Sequence, residues 1–127
     1  MDRNQSILSW FEIPVKDFDR AKKFYETLSG HQMTDMPAGP DHKMATFDPD
    51  HKLGISGGIM HGEGYEPSPS GVIIYFKLEG TLSNGVAVAE EAGAKILVPK
   101  MTVGEYGFIA HLMDTEGNRI ALHSEEE

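Results

Sequence analysis

The chain has 127 residues, no cysteine, and 11 basic against 20 acidic side chains, for a formal charge of −9. That length is one domain's worth, able to bury roughly two-thirds of its unfolded surface in a single core. The acidic balance, without a cluster of Lys and Arg to displace counterions, excludes a nucleic-acid binder, and the missing cysteines exclude disulfides, thiol nucleophiles and thiolate-held metals.

No apolar run approaches the roughly 18 residues needed to cross a bilayer. The opening MDRNQSIL lacks the basic-then-apolar layout of a secretion signal. A cytoplasmic protein with no membrane partner is therefore expected, and the terminal glutamates read as a solubilising tail.

From Ile7 to Val15 the residues alternate, with Phe11, Ile13 and Val15 on one face and Trp10, Glu12 and Pro14 on the other. Period two predicts a strand with one face on the core. Asp17 reads as the N-cap of a helix through Ser29. Ala21, Phe24, Tyr25 and Leu28 form its buried stripe, and Gly30 takes the left-handed position that ends it. Two or three short strands are predicted next, around His31–Asp35, Lys43–Phe47 and Leu53–Met60, the last two separated by a turn at Asp48–His51. The segment 62–71, with two prolines and three glycines, predicts a linker.

After it the pattern restarts. Ile73–Leu78 predicts a strand. Thr81 or Ser83 caps a helix with Leu82, Val86 and Ala89 inward and Gly93 at its end. Strands follow near Lys95–Pro99, Phe108–Met113 and Arg119–His123. The halves share one offset: Trp10 and Ile73, Val15 and Leu78, and Gly30 and Gly93 are each 63 residues apart. The turn residues Asp48 and Asp114 differ by 66, which implies about three extra residues in a hairpin of the second half. The expectation is a single α/β (α+β) domain over 1–127, built of two tandem βαβββ modules at about 7–61 and 71–124 joined by a linker at 62–70. Neither half could readily bury its sheet alone; paired, they enclose one cleft, a usual place for a ligand.

The stretches WFEIPVKDFDRAKKFYETLSG and FIAHLMDTEGNRIALHS resemble the vicinal oxygen chelate superfamily, which includes glyoxalases, bleomycin-resistance proteins and extradiol dioxygenases. The first is similar to that family's strand, V-x-D, and A-x-x-FY helix; the second to its D-x-x-G-x-x-I hairpin and last strand. The resemblance implies a curved mixed sheet around one cleft. It also implies metal-ligand positions at Trp10, Ile73, Ala121 and, in the first half, at or near Ile55. None of these side chains coordinates a divalent cation. The expectation is no metal and no cofactor, which argues against metal-assisted glyoxalase, dioxygenase or epimerase chemistry.

The same resemblance puts Trp10, Glu12, Tyr75 and Lys77 on the cleft face. Trp10, Tyr75 and Lys77 are the candidate ligand-binding residues. Glu12 and His123 are the candidate catalytic ones. Glu12 against an apolar wall would be desolvated and suited to proton transfer; alternatively it pairs with Lys77 or another polar neighbour. His123 shares a face with Ala121, yet it could equally be exposed near the chain end. The face used by His111 is open. His61 and Glu63 could offer two metal ligands, or simply sit in a mobile Gly-flanked loop. The Gly57–Gly58 pair lacks a following Lys-Ser/Thr and reads as a bulge or close approach, not a phosphate loop.

Two functions follow. One is a metal-free protein binding a small organic molecule, without glyoxalase activity of the usual kind. The other is a lyase- or isomerase-type enzyme using Glu12 as general base. A bland interaction module would have no enclosed pocket. Open sheet edges and the resemblance both point to a homodimer.

Overall fold

The structure is a computed structural model that describes residues 7–50, 52 and 54–127. The alternating Trp10–Pro14 segment forms strand β1, and Ile13 and Val15 are buried while Glu12 is exposed. Helix α1 spans Phe18–Ser29. Its Asp17 cap accepts the Arg20 amide, and Gly30 closes it at φ 75°. The stripe Ala21, Phe24, Tyr25 and Leu28 is buried as the spacing predicts.

Strands β2 (Thr34–Met36), β3 (Lys43–Thr46) and β4 (Ser56–His61) complete the first sheet, in the order β1-β4-β3-β2. The second half runs β5 (Tyr75–Lys77), α2 (Leu82–Glu91, capped by Thr81), β6 (Lys95–Thr102), β7 (Phe108–Met113) and β8 (Arg119–Ser124). Its order, β5-β8-β7-β6, is that of the first sheet with each strand replaced by its counterpart. In both, the first strand lies parallel to the last, and the remaining pairs are antiparallel.

Some boundaries moved. The strand read as starting at Leu53 begins at Ser56; Leu53, and the His51 end of the preceding turn, lie outside the described residues. The strand read from Ile73 begins at Tyr75. Strand β6 runs past Pro99 to Thr102, tolerable because β6 is an edge strand and needs no ladder bond from that residue.

Each sheet turns one face toward the helices. Phe11 and Phe47 from the first sheet region meet Phe76 from β5, with ring centroids about 6 Å apart, and Tyr25 of α1 packs at 5.7 Å from Phe76. One apolar core thus spans both modules. A fully buried aromatic or aliphatic side chain contributes roughly 1.5–3 kcal/mol, so this shared cluster is what neither half could assemble alone. Gly57 belongs to the same crowding. A Cβ there would lie 2.1 Å from the Phe11 carbonyl oxygen, so the glycine pair reflects close backbone approach.

Candidate functional site

Strand parity sends Trp10, Glu12 and Pro14 to the face of β1 opposite the core, and Tyr75 and Lys77 to the corresponding face of β5. The structure does not gather them into one pocket. Trp10 and Glu12 line a cavity of about 390 Å³ between β1 and the start of β8, together with Ile74, Asn118, Arg119 and Ile120. Glu66, Ser68, Ser70 and Val72, from the connection between the modules, close one side of it. Hydrogen bonds tie that connection to the cavity: Tyr65 donates its hydroxyl to Glu12 at 3.3 Å, and the Ser68 amide donates to Asn118 Oδ1 at 3.0 Å. Tyr75 and Lys77 instead line a smaller hollow of about 260 Å³ with Phe11, Phe47 and Ser56. The hydroxyl of Ser56 is buried there without a hydrogen-bond partner among the described residues.

Glu12 is exposed, so the apolar wall expected to desolvate it does not enclose it. Its partners are the Trp10 indole N–H at 3.2 Å and the Tyr65 hydroxyl, not Lys77. The charge on Glu12 raises the Tyr65 phenol, which keeps that hydroxyl a donor. His123 stands apart from Glu12. It lies with Lys77, Glu79 and Glu125 around a separate hollow, its Nε2 2.5 Å from the Tyr106 carbonyl. Period two put His123 on the Ala121 face correctly, but the strand carries it past the end of the cavity. His61 is likewise occupied, with Nδ1 3.2 Å from the Val15 carbonyl.

His111, whose face the sequence left open, lies between Tyr75 and Arg119. Arg119 Nε donates to His111 Nδ1 at 3.0 Å, and His111 Nε2 is 2.9 Å from the Tyr75 hydroxyl. A guanidinium can only donate, so Nδ1 is the bare nitrogen and Nε2 carries the proton. That proton goes to the Tyr75 oxygen, leaving the Tyr75 O–H free to donate elsewhere. Burial, then the Arg119 charge, lowers the His111 pKa and keeps the ring neutral. Opposite-face parity and the pairing of His111 with Ala121, itself paired with Tyr75, bring the three together. The only sequence signal was period two on β7, readable once the register was known.

The register also shifts one of the ligand positions that the resemblance implies. The Val15 amide bonds the Met60 carbonyl just as the Leu78 amide bonds the His123 carbonyl, both at 2.9 Å. The 63-residue offset is thus restored in the last strand of each module. The counterpart of Ala121, which pairs with Tyr75, is therefore Gly58, which pairs with Glu12. Ile55 precedes β4, because the spacing difference is absorbed before that strand begins. Trp10, Gly58, Ile73 and Ala121 offer an indole N–H, a hydrogen and two alkyl groups. A divalent cation needs lone pairs, so these residues do not fit one. Among the described residues no group of three or more His, Asp and Glu is placed to hold a metal.

Residues 8–47 match the sequence model of the bleomycin resistance protein-like N-terminal family. No curated protein matches the chain. Among solved structures, a glyoxalase/bleomycin resistance protein from Streptomyces sp. CB03234 is 25% identical, with TM-score 0.67 over 91% of this chain and 97% of that one. A glyoxalase/bleomycin resistance protein/dioxygenase family enzyme from Burkholderia phytofirmans PsJN is 19% identical, with TM-score 0.67 over 94% and 98%. A genomically encoded fosfomycin resistance protein, FosX, from Listeria monocytogenes is 17% identical, with TM-score 0.66 over 94% and 93%. The chain thus has the fold of the glyoxalase/bleomycin-resistance proteins, and its first module is similar to the bleomycin resistance protein-like N-terminal family.

Proposed function

We propose that this protein binds a small organic molecule in the cavity beside β1, without a metal and without metal-assisted glyoxalase chemistry. The observation that carries this reading is the cavity itself. Its volume of about 390 Å³ falls in the range of small-molecule sites, and its walls pair apolar Trp10, Ile74 and Ile120 with a few polar groups. The donor-poor set Trp10, Gly58, Ile73 and Ala121 supports the metal-free part. A general-base enzyme would want its carboxylate desolvated, and Glu12 is exposed and occupied by two donors. That favours binding over turnover.

Trp10 is the single tryptophan, so its emission reports occupancy of the cavity directly. Titration of EDTA-treated protein with the neutral probe phenylacetamide should change that emission saturably, and adding zinc, nickel or manganese should not improve it. A requirement for one of those metals would overturn the proposal.

The reading extends to a cytoplasmic homodimer. Exposed Met101, Tyr106 and Tyr75 support self-association through the open side of the second sheet. Pairing along β6 is disfavoured by Lys95, Pro99 and Lys100 and by two register shifts. Sedimentation should give twice the 14.0 kDa chain mass at micromolar concentration; a monomer there would refute it.

A further inference from the structure

We infer that Arg119 is an anion-recognition subsite of the cavity, holding the carboxylate of a small organic ligand, and that His111 is its positioning residue. The inference rests on the cavity-binding reading and adds the chemical class of ligand.

Arg119 lines the cavity and makes no ion pair among the described residues, although the chain carries 20 acidic side chains. Arg20, the other described arginine, is by contrast committed to Glu116. What holds Arg119 is a neutral acceptor, His111 Nδ1, which takes only the Nε–H. Its two terminal amino groups have no partner among the described residues. Those are the groups that bind a carboxylate in a forked pair. The imidazole is itself fixed from the other side by the Tyr75 hydroxyl, so the fork is oriented before a ligand arrives.

Glu12 and Glu66 line the same cavity, and neither lies within ion-pair distance of Arg119. Their charge repels an anion from the Glu12 end and so orients it, with the carboxylate on Arg119 and the apolar body along Trp10 and Ile74.

The test uses three probes of one shape and different charge: phenylacetate, phenylacetamide and phenethylammonium, each titrated against Trp10 emission. Phenylacetate should bind about tenfold more tightly than phenylacetamide, the scale of a charge-assisted pair, and phenethylammonium more weakly still. Arg119→Gln, checked for unaltered thermal unfolding, should erase the preference for phenylacetate. His111→Leu should reduce the same ratio, and His111→Gln, which keeps an acceptor for Arg119, should restore it. A ratio is insensitive to a general loss of folded protein. Equal binding of phenylacetate and phenylacetamide, or tighter binding of phenethylammonium, overturns the anion assignment and leaves the cavity reading standing. Failure of all three probes to bind overturns both.

Discussion

Glu116, in the turn between β7 and β8, accepts the backbone amide of Asp17 at 2.7 Å across 99 residues of sequence. The same carboxylate accepts the Lys16 amide at 2.9 Å, Arg20 through Nε at 2.7 Å and Nη2 at 3.1 Å, and the Thr115 hydroxyl at 2.9 Å. The last hairpin of the second module thereby places an anion at the start of α1, where the helix dipole favours one.

This contact sets an acid-stability profile. Burial pushes the Glu116 carboxyl up, but Arg20, the Asp17 amide, Thr115 and the Lys16 amide outweigh it and hold it at about 2 against an ordinary 4.5. A carboxylate depressed on folding stabilises the protein above its unfolded value, and that contribution disappears as pH falls from 4.5 through about 2. Glu116→Gln should cost about 2–3 kcal/mol at pH 7. Urea unfolding between pH 7 and 2 should show the two proteins converging at the acid end. A constant difference across that range would refute the assignment.

Tyr25 donates to Asp114 at 2.5 Å from inside the core. Burial, then the negative charge of Asp114, raises its phenol well above 10. A group raised on folding stabilises the fold below its unfolded value, so this contribution is complete below pH 10 and declines as pH rises beyond it. In an ultraviolet titration Tyr25 should ionise only as the protein unfolds. Tyr25→Phe should cost about 1 kcal/mol, because Asp114 keeps its bonds to the Glu116 and Asn118 amides. A loss-free Tyr25→Phe variant would show that the bond contributes nothing net.

Asn118 joins three segments. Its amide group donates to the Pro14 carbonyl at 2.7 Å and to Asp114 at 3.0 Å, and its oxygen accepts the Ser68 amide. Asn118→Ala should destabilise by about 1–3 kcal/mol and speed hydrogen exchange at the Ser68 amide well beyond its effect on the core of α1. Uniform acceleration everywhere would indicate global loosening instead of release of the inter-module connection.

Trp10→Ala should weaken phenylacetamide binding by at least tenfold, since it removes a wall of the cavity. That variant has no tryptophan, so calorimetry replaces fluorescence. Glu12→Gln keeps the shape and removes the charge. Its affinity for phenylacetamide should stay within about threefold of wild type, and any turnover found for this protein should survive. A drop in turnover of about 10² or more would instead establish Glu12 as a general base.

The sequence by itself determined the helix phases and strand parity of both modules. These are local properties: Ala21, Phe24, Tyr25 and Leu28 share a helix face, and Ile13 and Glu12 opposite strand faces, whatever lies beyond. The constant offset between halves carried the repeated strand order for the same reason. The tertiary structure decided which polar groups meet. Arg119 reaches His111 because a short turn folds β8 back on β7, and His111 reaches Tyr75, 36 residues away in sequence, because β5 and β7 both pair with β8. Pairing register also decided that Gly58, not Ile55, is the partner of Ala121 in the repeat, since the length difference lies in a connection with no periodicity to reveal it. Periodicity states which way a side chain points along its own strand. Only the register between strands states what it points at.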